Sequence, residues 1–284
     1  MKSSFCLAAA LASTLCAAQE LPAPLDGRSS DREIMEHMYR HEANQTQTNA
    51  LALHFPDIDR DRAYAIQRLR LEEKSQHYAH AGWKLAWTRM PDDGQLDPAF
   101  GHYLKDRVFR EGEPVPSRYF TLGTAFAEPE IVFYFNKDLP GPLVTREDVV
   151  DAIEAVGVAI EFVNWRALEP RTVEHAIVDN GIAAGVVLSD RRFKLVDVNF
   201  ADETGSVTIN GDKSNSGPAT SIMGEDPLAA VVWAANELAR YGMHFQAGEF
   251  VLSGTVCIPL PVSAGDTAVA SFTNLGSLEV NIVD

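Results

Sequence analysis

The pattern of hydrophobic and polar positions divides the chain into a helical first part and a strand-rich remainder. Ser30 and Glu33 have the spacing of a capping box, which predicts that a short helix begins here. Asp59 is a second candidate N-cap, and the periodic apolar positions after it predict a helix over 60–81 that ends at Gly82. We therefore expect two helices before the first strand.

From residue 83 onward, short apolar runs bounded by turn residues predict β-strands. The predicted strands cover 83–88, 131–135, 158–163, 185–188, 207–209, 250–253, 268–273 and 278–283. Two helices interrupt them, one over 146–156 after Thr145 and one over 227–241 after Asp226. Strands outnumber helices without regular alternation, so we predict an α+β fold with a rolled, mostly antiparallel β-sheet and an N-terminal helical region.

The first 18 residues have the composition of a cleavable leader. Lys2 supplies a positive charge, an apolar stretch over 5–15 follows, and the small residues Cys16 and Ala18 suit cleavage after Ala18. The apolar stretch is too short to span a bilayer, so we expect a secreted or periplasmic protein; a buried N-terminal helix is the alternative. The expected divisions are a signal peptide over 1–18, a linker over 19–28, an N-terminal helical region over 29–82 and a main domain over 83–284.

Composition and charge narrow the possible functions. The 284 residues are 46% hydrophobic, enough for a large core, and 40 acidic against 24 basic residues give a formal net charge of −16. Such an acidic surface repels phosphate backbones and anionic membranes, so we expect no nucleic-acid partner and, after leader cleavage, no membrane partner. A small anionic substrate would need a locally positive site or a metal. Only Cys257 would remain after cleavage, which excludes an intramolecular disulfide.

Three glutamates stand in predicted strands. Glu128 and Glu130 lie two residues apart at the start of an apolar run, so they share one face of a strand with side chains about 7 Å apart. Glu161 interrupts the apolar run over 157–163, where a lone carboxylate needs a proton, a basic partner or a metal. Three carboxylates without a nearby Cys or His indicate a hard divalent cation, Mg²⁺ before Mn²⁺ or Ca²⁺. The alternative places Glu128 and Glu130 on a solvent-facing strand and Glu161 in a salt bridge with Arg166.

Several segments also match, in order, the motifs of one known family. A Gly-Trp-Lys-Leu-Ala-Trp-Thr element precedes a Glu-Pro-Glu strand, an Ala-Ile-Glu-Phe-Val-Asn-Trp-Arg element and an Asp-Asn-Gly-Ile-Ala element. With three later segments, the matches cover 82–88, 128–130, 158–166, 179–183, 224–236, 247–254, and 264–266 together with 275–277. On these motifs the chain resembles the fumarylacetoacetate hydrolase superfamily, specifically its 2-keto-4-pentenoate hydratase / 4-oxalocrotonate decarboxylase branch.

The resemblance implies a fold, a cofactor and a set of site residues. The fold would be the rolled sheet of the fumarylacetoacetate hydrolase C-terminal type, with the catalytic domain over 83–284 in a homo-oligomer. A metal would bind the carboxylate and keto oxygens of a 2-oxo acid. In the family, the matching lysine lies beside the substrate as an acid/base or electrostatic group, and a nearby divalent ion would lower its pKa. The implied metal ligands are Glu128, Glu130 and Glu161, and the implied catalytic residues are Lys84, Asp106 and Arg166.

The chain departs from the family pattern at three places. Asn164 and Trp165 replace an Asp-Ser pair, residues 181–183 lack two serines, and Arg89 stands where a small residue is usual, either adding positive charge or capping a turn. The leading hypothesis is a metal-dependent hydratase of a 2-keto-4-pentenoate-like 2-oxo or 2-hydroxydienoic acid. The alternatives are a decarboxylase or C–C hydrolase of a related acid, or a non-catalytic exported binder of small organic acids.

Overall fold

The N-terminal region consists of three helices. The computed structural model describes the chain over 24–91, 93–224 and 226–284. The predicted signal peptide lies outside the described residues. The helices are α1 (Asp31–Ala43), α2 (Ala50–His54) and α3 (Arg60–Lys74). The predicted caps are confirmed, because Ser30 and Glu33 form the capping box of α1 and Asp59 accepts a hydrogen bond from the Arg62 amide at the start of α3.

Strands make up most of the regular secondary structure in the rest of the described chain. The strands are β1 (His80–Ala86), β2 (Ala99–Leu104), β3 (Val108–Arg110), β4 (Val115–Pro116), β5 (Thr124–Phe135), β6 (Ile153–Val163), β7 (Ala183–Leu188), β8 (Thr204–Ile209), β9 (Lys213–Pro218), β10 (Phe250–Leu252), β11 (Leu260–Ser263), β12 (Thr267–Phe272) and β13 (Gly276–Val283). The later helices are α4 (Arg146–Ala152), α5 (Val173–Val178) and α6 (Pro227–Arg240). No helix in the described part of the chain is both long and apolar enough to cross a membrane.

The strands form two sheets. An eight-stranded sheet has the order β2-β1-β10-β5-β6-β7-β3, with β11 also paired to β5, and a five-stranded sheet has the order β4-β13-β12-β8-β9. Strand pairs are antiparallel except β1–β10, β3–β7 and β4–β13. The prediction of an α+β fold around a rolled, mostly antiparallel sheet is confirmed.

The long strands β5 and β6 form the centre of the eight-stranded sheet. Their antiparallel pairing extends from Phe126 opposite Val163 to Phe135 opposite Ile153. Fully buried apolar side chains of both strands contribute to the core, among them Ile131, Phe133, Val158 and Ile160. Each such burial contributes about 1.5–3 kcal/mol. Because a slip of one residue would exchange these apolar side chains with those of the opposite face, which include Glu130 and Glu161, the register is strongly specified.

The helical region packs on the sheet and shares its core. The rings of Tyr64 on α3 and Phe100 on β2 stack with centroids 4.2 Å apart. The Gln67 amide donates hydrogen bonds of 3.0 Å to the carbonyl oxygens of Phe100 and Ile177, which connects α3 to β2 and α5. The boundary predicted between residues 82 and 83 therefore falls inside β1, in continuously packed structure.

The predicted end of the second helix is wrong. The helix predicted over 60–81 ends at Lys74, and Gly82 lies in β1. A Cβ atom at Gly82 would lie only 2.4 Å from the carbonyl oxygen of Phe250 on the parallel neighbour β10. Glycine at this position therefore permits close strand approach and does not cap a helix.

Helix α4 is also shorter than predicted, whereas α6 agrees closely. The helix predicted over 146–156 ends at Ala152. Ile153 already pairs with Phe135 of β5, because strand pairing buries the apolar residues that follow and overrides local helix propensity. Helix α6 begins as predicted after Asp226, whose carboxylate accepts a hydrogen bond from the amide of Leu228.

Candidate metal centre and substrate cleft

Three carboxylates converge where β5 and β6 pair. Glu128 and Glu130 lie on β5, and Glu161 lies on β6 directly opposite Glu128. One carboxylate oxygen from each residue lies within 4.8 Å of the other two. Glu130 and Glu161 are completely buried, and Glu128 is half-buried. The alternative of a solvent-facing Glu-x-Glu strand is therefore wrong for Glu130, and the strand period brings the two β5 carboxylates together as predicted.

The charges of this cluster are strongly destabilised by burial. Burial, reinforced by Glu161 although opposed by Lys84, raises the pKa of Glu128 to about 8. Burial and the two neighbouring carboxylates raise the pKa of Glu130 well above its usual range. Glu130 Oε1 is buried with no hydrogen-bond partner among the described residues. An orphaned oxygen among three converging carboxylates fits a hard divalent cation, which would satisfy the oxygen and offset the repulsion.

Lys84 contacts this cluster from β1. Its side chain is 2% exposed, and its Nζ lies 3.1 Å from Glu161 Oε2 and donates a 3.1 Å hydrogen bond to the Gly181 carbonyl oxygen. Burial disfavours its charge, but Glu161, Glu128 and Glu130 outweigh this and raise the pKa of Lys84. The three glutamates therefore raise the pKa of Lys84, whereas a divalent ion was expected to lower it. The proposed salt bridge between Glu161 and Arg166 is wrong, since Glu161 pairs with Lys84.

Tyr103 is a site residue that the sequence did not reveal. Its hydroxyl lies 2.7 Å from Glu161 Oε1 and 3.1 Å from the carbonyl oxygen of Gly185. Burial and the Glu161 charge raise the pKa of Tyr103 well above its ordinary value, so the phenol keeps its proton and donates it. A tyrosine in an unpredicted strand gave no signal, because its partners lie on β6 and β7, more than 50 residues away in the chain.

A backbone amide completes the surroundings of Glu130. The Gly254 amide donates a 2.6 Å hydrogen bond to Glu130 Oε2. Gly254 has a φ of +88°, and a Cβ atom there would lie 2.0 Å from Thr88 Oγ1. The Thr88 hydroxyl in turn donates a 2.8 Å hydrogen bond to the Ser253 carbonyl oxygen. Only glycine allows this loop to reach both Thr88 and Glu130.

The carbonyl oxygen that contacts Lys84 belongs to a left-handed turn. Asn180, Gly181 and Ile182 have φ values of +58°, +61° and +59°. Ile182 is β-branched, and a positive φ strains such a residue by about 1–3 kcal/mol. Surrounding contacts must therefore hold the turn in this conformation. The Asn180 side chain supplies two of them, accepting from the His102 amide and donating to the His102 carbonyl oxygen, both at 3.0 Å.

The structure does not bring Arg166 or Asp106 to the carboxylates. Arg166 is completely buried and pairs with Asp179, and its guanidinium also donates to the carbonyl oxygens of Asp179 and Ala183. Asp106 lies 3.8 Å from Lys74 Nζ and 3.4 Å from Arg107 Nε. Arg166 therefore anchors the segment before β7, and Asp106 belongs to a separate ionic cluster. Direct catalytic roles for both residues stay predictions.

A cleft of about 830 Å³ gives access to Glu128 and Lys84. Its walls combine apolar and cationic side chains, namely Trp87, Phe126, Trp165, Ile182, Arg89 and Arg171. Trp165 and Ile182 are two of the departures from the family pattern, and their positions make the cleft more apolar than hydroxyl-bearing residues would. The third departure, Arg89, adds positive charge to the same cleft.

The sequence relatives decide the family. The 2-oxo-hept-4-ene-1,7-dioate hydratase of Escherichia coli is 30% identical over 261 residues, which cover 88% of this chain and 97% of the relative. The 2-hydroxyhexa-2,4-dienoate hydratase of Comamonas testosteroni is 30% identical over 235 residues, covering 81% and 88%. The chain belongs to the 2-keto-4-pentenoate hydratase / 4-oxalocrotonate decarboxylase branch of the fumarylacetoacetate hydrolase superfamily. The resemblance drawn from the motifs is thus confirmed.

A solved structure shows the same fold. The 4-oxalocrotonate decarboxylase from Pseudomonas putida G7, complexed with magnesium and adipate, superimposes with a TM-score of 0.81 at 24% sequence identity. The match covers 89% of this chain and 97% of the decarboxylase. No family model matches the chain. Membership of this hydratase and decarboxylase branch therefore rests on the curated relatives, and the solved structure confirms the fold.

Proposed function

We propose that this protein is a divalent-metal-dependent hydratase of a 2-oxo or 2-hydroxydienoic acid, with a 2-keto-4-pentenoate-like compound as the first-choice substrate. The observation that carries the proposal is the convergence of Glu128, Glu130 and Glu161 with Lys84 beside one cleft. Two relatives at 30% identity are hydratases of unsaturated 2-oxo or 2-hydroxy acids, which supports the same reaction class here.

Glu128, Glu130 and Glu161 would hold the metal, Mg²⁺ before Mn²⁺ or Ca²⁺. An all-carboxylate donor set favours these hard cations over softer ones. The related decarboxylase was solved once with magnesium and once with calcium, which supports the same choice. When bound, such an ion supplies Lewis-acid stabilisation of the enolate form of a 2-oxo acid.

Lys84 is the group best placed to move a proton. It lines the cleft, is shielded from bulk water, and is oriented by Glu161 and the Gly181 carbonyl oxygen. Hydration adds a hydroxyl group to one carbon of the conjugated double bond and a proton to another. An ammonium group held at the cleft by two acceptors can deliver that proton and recover it from water.

Turnover of 2-hydroxypenta-2,4-dienoate tests the proposal. Loss of the dienoate absorbance should require Mg²⁺, stop with a chelator and be absent in Glu161→Gln, which keeps the shape of the side chain but not its charge. Dienoate loss that persists under chelation would contradict the metal-dependent mechanism. Binding of the acid without any turnover would support the exported-binder alternative instead.

Decarboxylation is the second candidate. The observation that favours it is a sequence relative, the 4-oxalocrotonate decarboxylase of Pseudomonas putida, which is 25% identical over 255 residues. The same stabilised enolate serves both reactions. Release of CO₂ from 4-oxalocrotonate, measured beside hydration of the dienoate, separates the two activities. Product analysis in the same assay would reveal C–C hydrolysis, because cleavage yields two shorter acids.

A further inference from the structure

Among the described residues, one cation that lines the cleft has no ion-pair partner, although its charge helps to lower the pKa of Glu128. Arg89 lines the cleft and is solvent-exposed, and it forms no ion pair or side-chain hydrogen bond among the described residues. Lys84, by contrast, is paired with Glu161, and the three carboxylates with a divalent ion and Lys84 sum to zero formal charge. In a chain of net charge −16, an unpaired arginine facing a substrate cleft is a candidate anion receptor.

The second arginine of the cleft is already engaged. Arg171 stacks over the Trp165 ring at 4.0 Å, and its Nε lies 3.0 Å from Glu169 Oε1. It also donates a 3.3 Å hydrogen bond to the Ala167 carbonyl oxygen. Glu169 offsets its charge, so Arg171 mainly fixes Trp165 as a wall of the cleft. Arg89 has no ion-pair partner in the described part of the chain and is therefore the remaining candidate receptor.

The backbone around Arg89 is held firmly. Arg89 forms a β-bridge with Ile222, the Met90 amide donates to the Ser221 carbonyl oxygen, and the Met223 amide donates to the Thr88 carbonyl oxygen, each hydrogen bond being 2.8 Å. These bonds connect the end of β1 to the segment before α6. The backbone at Arg89 is therefore held in place, so ligand binding has to order only the side chain.

We propose that Arg89 binds the distal carboxylate of a 2-oxo dicarboxylic acid and so selects dicarboxylates over monocarboxylates. This inference rests on the proposed function, in which the carboxylate and keto oxygens at the near end of the substrate face the three glutamates. A second anionic group must then lie farther along the cleft. Trp87 and Phe126 line the same cleft with apolar surface for the carbon chain. The single positive charge of Arg89 suits one carboxylate.

Calorimetric titration of the Mg²⁺-loaded protein with two saturated ligands tests the assignment. The ligands are 2-oxoadipate and 2-oxohexanoate, which differ only in ending with a carboxylate or a methyl group and contain no double bond to hydrate. The wild type should bind 2-oxoadipate about 2- to 5-fold more tightly, the range for an exposed arginine–carboxylate pair. Arg89→Gln should abolish this preference, and Arg89→Lys should retain part of it.

Arg28→Gln is the matched control. Arg28 is an exposed arginine before α1 that does not line the cleft, so this variant changes the net charge equally. It should leave the preference unchanged. Equal weakening of both ligands in Arg89→Gln, or equal affinity in the wild type, would overturn the role of Arg89 while leaving the hydratase proposal standing.

The two proposals fail in distinguishable ways. Because neither ligand is turned over, absence of dienoate hydration would contradict the hydratase proposal and leave the Arg89 measurement valid. Binding of neither ligand in the presence of Mg²⁺ would overturn both. A preference that survives in Arg89→Gln but is lost in Arg171→Gln would reassign the receptor to the other arginine and overturn the assignment made here.

Discussion

At the scale of single residues, Lys84 separates an enzyme from a binder. Lys84→Met removes the ammonium group that contacts Glu161 and the Gly181 carbonyl oxygen. We expect the hydration rate to fall by roughly 10²-fold or more, the scale typical of a positioned acid/base group. Mg²⁺ should still bind, because the substitution removes a positive charge that competes for the carboxylates. Steady-state kinetics and calorimetric titration measure the two effects separately.

Lys84→Arg is the control for charge. The guanidinium keeps the positive charge but does not release its proton near neutral pH, so a proton-transfer role predicts nearly the same loss as in Lys84→Met. Restored activity would instead identify Lys84 as an electrostatic anchor. The proton would then have to come from another group such as Asp106.

Tyr103→Phe should weaken metal binding without changing the fold. The substitution removes the hydroxyl that contacts Glu161 at 2.7 Å and keeps the ring that packs near Phe250. Partners that orient a metal ligand typically contribute about 10- to 100-fold in affinity or activity, and we expect the lower end here. Titration with Mg²⁺ gives the affinity, and thermal unfolding in chelator serves as the control. An unchanged dissociation constant would limit Tyr103 to packing.

The candidate site was predictable only in part at this scale. Glu128 and Glu130 were recognisable because their spacing puts two carboxylates on one strand face, and Glu161 because a carboxylate inside an apolar run is anomalous. Lys84 was recognisable only because its segment matches a family motif. Tyr103 and the Gly254 amide were not, since an aromatic residue or a glycine is ordinary in any sequence. Their roles arise from hydrogen bonds to glutamates that are distant in the chain.

At the scale of elements, the loop after β10 offers a direct test of close packing. Gly254 and Gly248 both have a φ of +88°, but a Cβ atom would lie 2.0 Å from Thr88 Oγ1 at Gly254 and meets nothing within 4 Å at Gly248. Gly248→Ala should cost only the left-handed backbone strain, about 1–2 kcal/mol. Gly254→Ala should cost more and also weaken Mg²⁺ binding through Glu130. Chemical denaturation and titration of both variants measure the difference.

Local sequence signals determined where elements begin better than where they end. The caps at Ser30, Asp59 and Asp226 were found because a side chain bonds to its own helix start. The helix predicted over 60–81 was too long because Gly82 resembles a helix cap locally but is required by the approach of β10. Strand β9 was missed because its sequence, Lys-Ser-Asn-Ser-Gly-Pro, contains no apolar residue.

At the scale of the whole molecule, stability and metal binding should depend on pH together. The pKa of Glu128 is raised from 4.5 to about 8, so between these values the folded state retains a proton that the unfolded state releases. Stability without metal is therefore highest below this window and falls as pH rises through it. Mg²⁺ binds the ionised carboxylates, so its affinity should increase over the same window.

Thermal unfolding from about pH 5 to about pH 9, with Mg²⁺ or with chelator, measures this linkage. We expect the melting temperature in chelator to decrease with pH and the increase caused by Mg²⁺ to grow with pH. Glu128→Gln cannot ionise at this position and should flatten the decrease. A Mg²⁺ effect that is independent of pH would contradict competition between protons and metal at Glu128.

Export and assembly also belong to the whole molecule, and both stay predictions. Lys2, the apolar stretch over 5–15 and the small residues at Cys16 and Ala18 predict that the mature protein begins near Gln19 in a secreted or periplasmic location. N-terminal sequencing of protein from its native host tests this, and an intact Met1 on cytoplasmic protein would contradict it. Sedimentation analysis would test the expected homo-oligomer.

Glu128 and Glu161 face each other across β5 and β6. The chemistry of this protein therefore depends on whether an even or an odd number of residues separates each glutamate from the core residues of its strand. Insertion of one residue within either strand would turn the following side chains to the other face and separate the carboxylates. Insertion within 136–152, the connection between the strands, leaves that parity unchanged, since core pairing sets the register. Insertions and deletions can therefore accumulate in the connection during evolution, while the lengths of the two strands must stay constant.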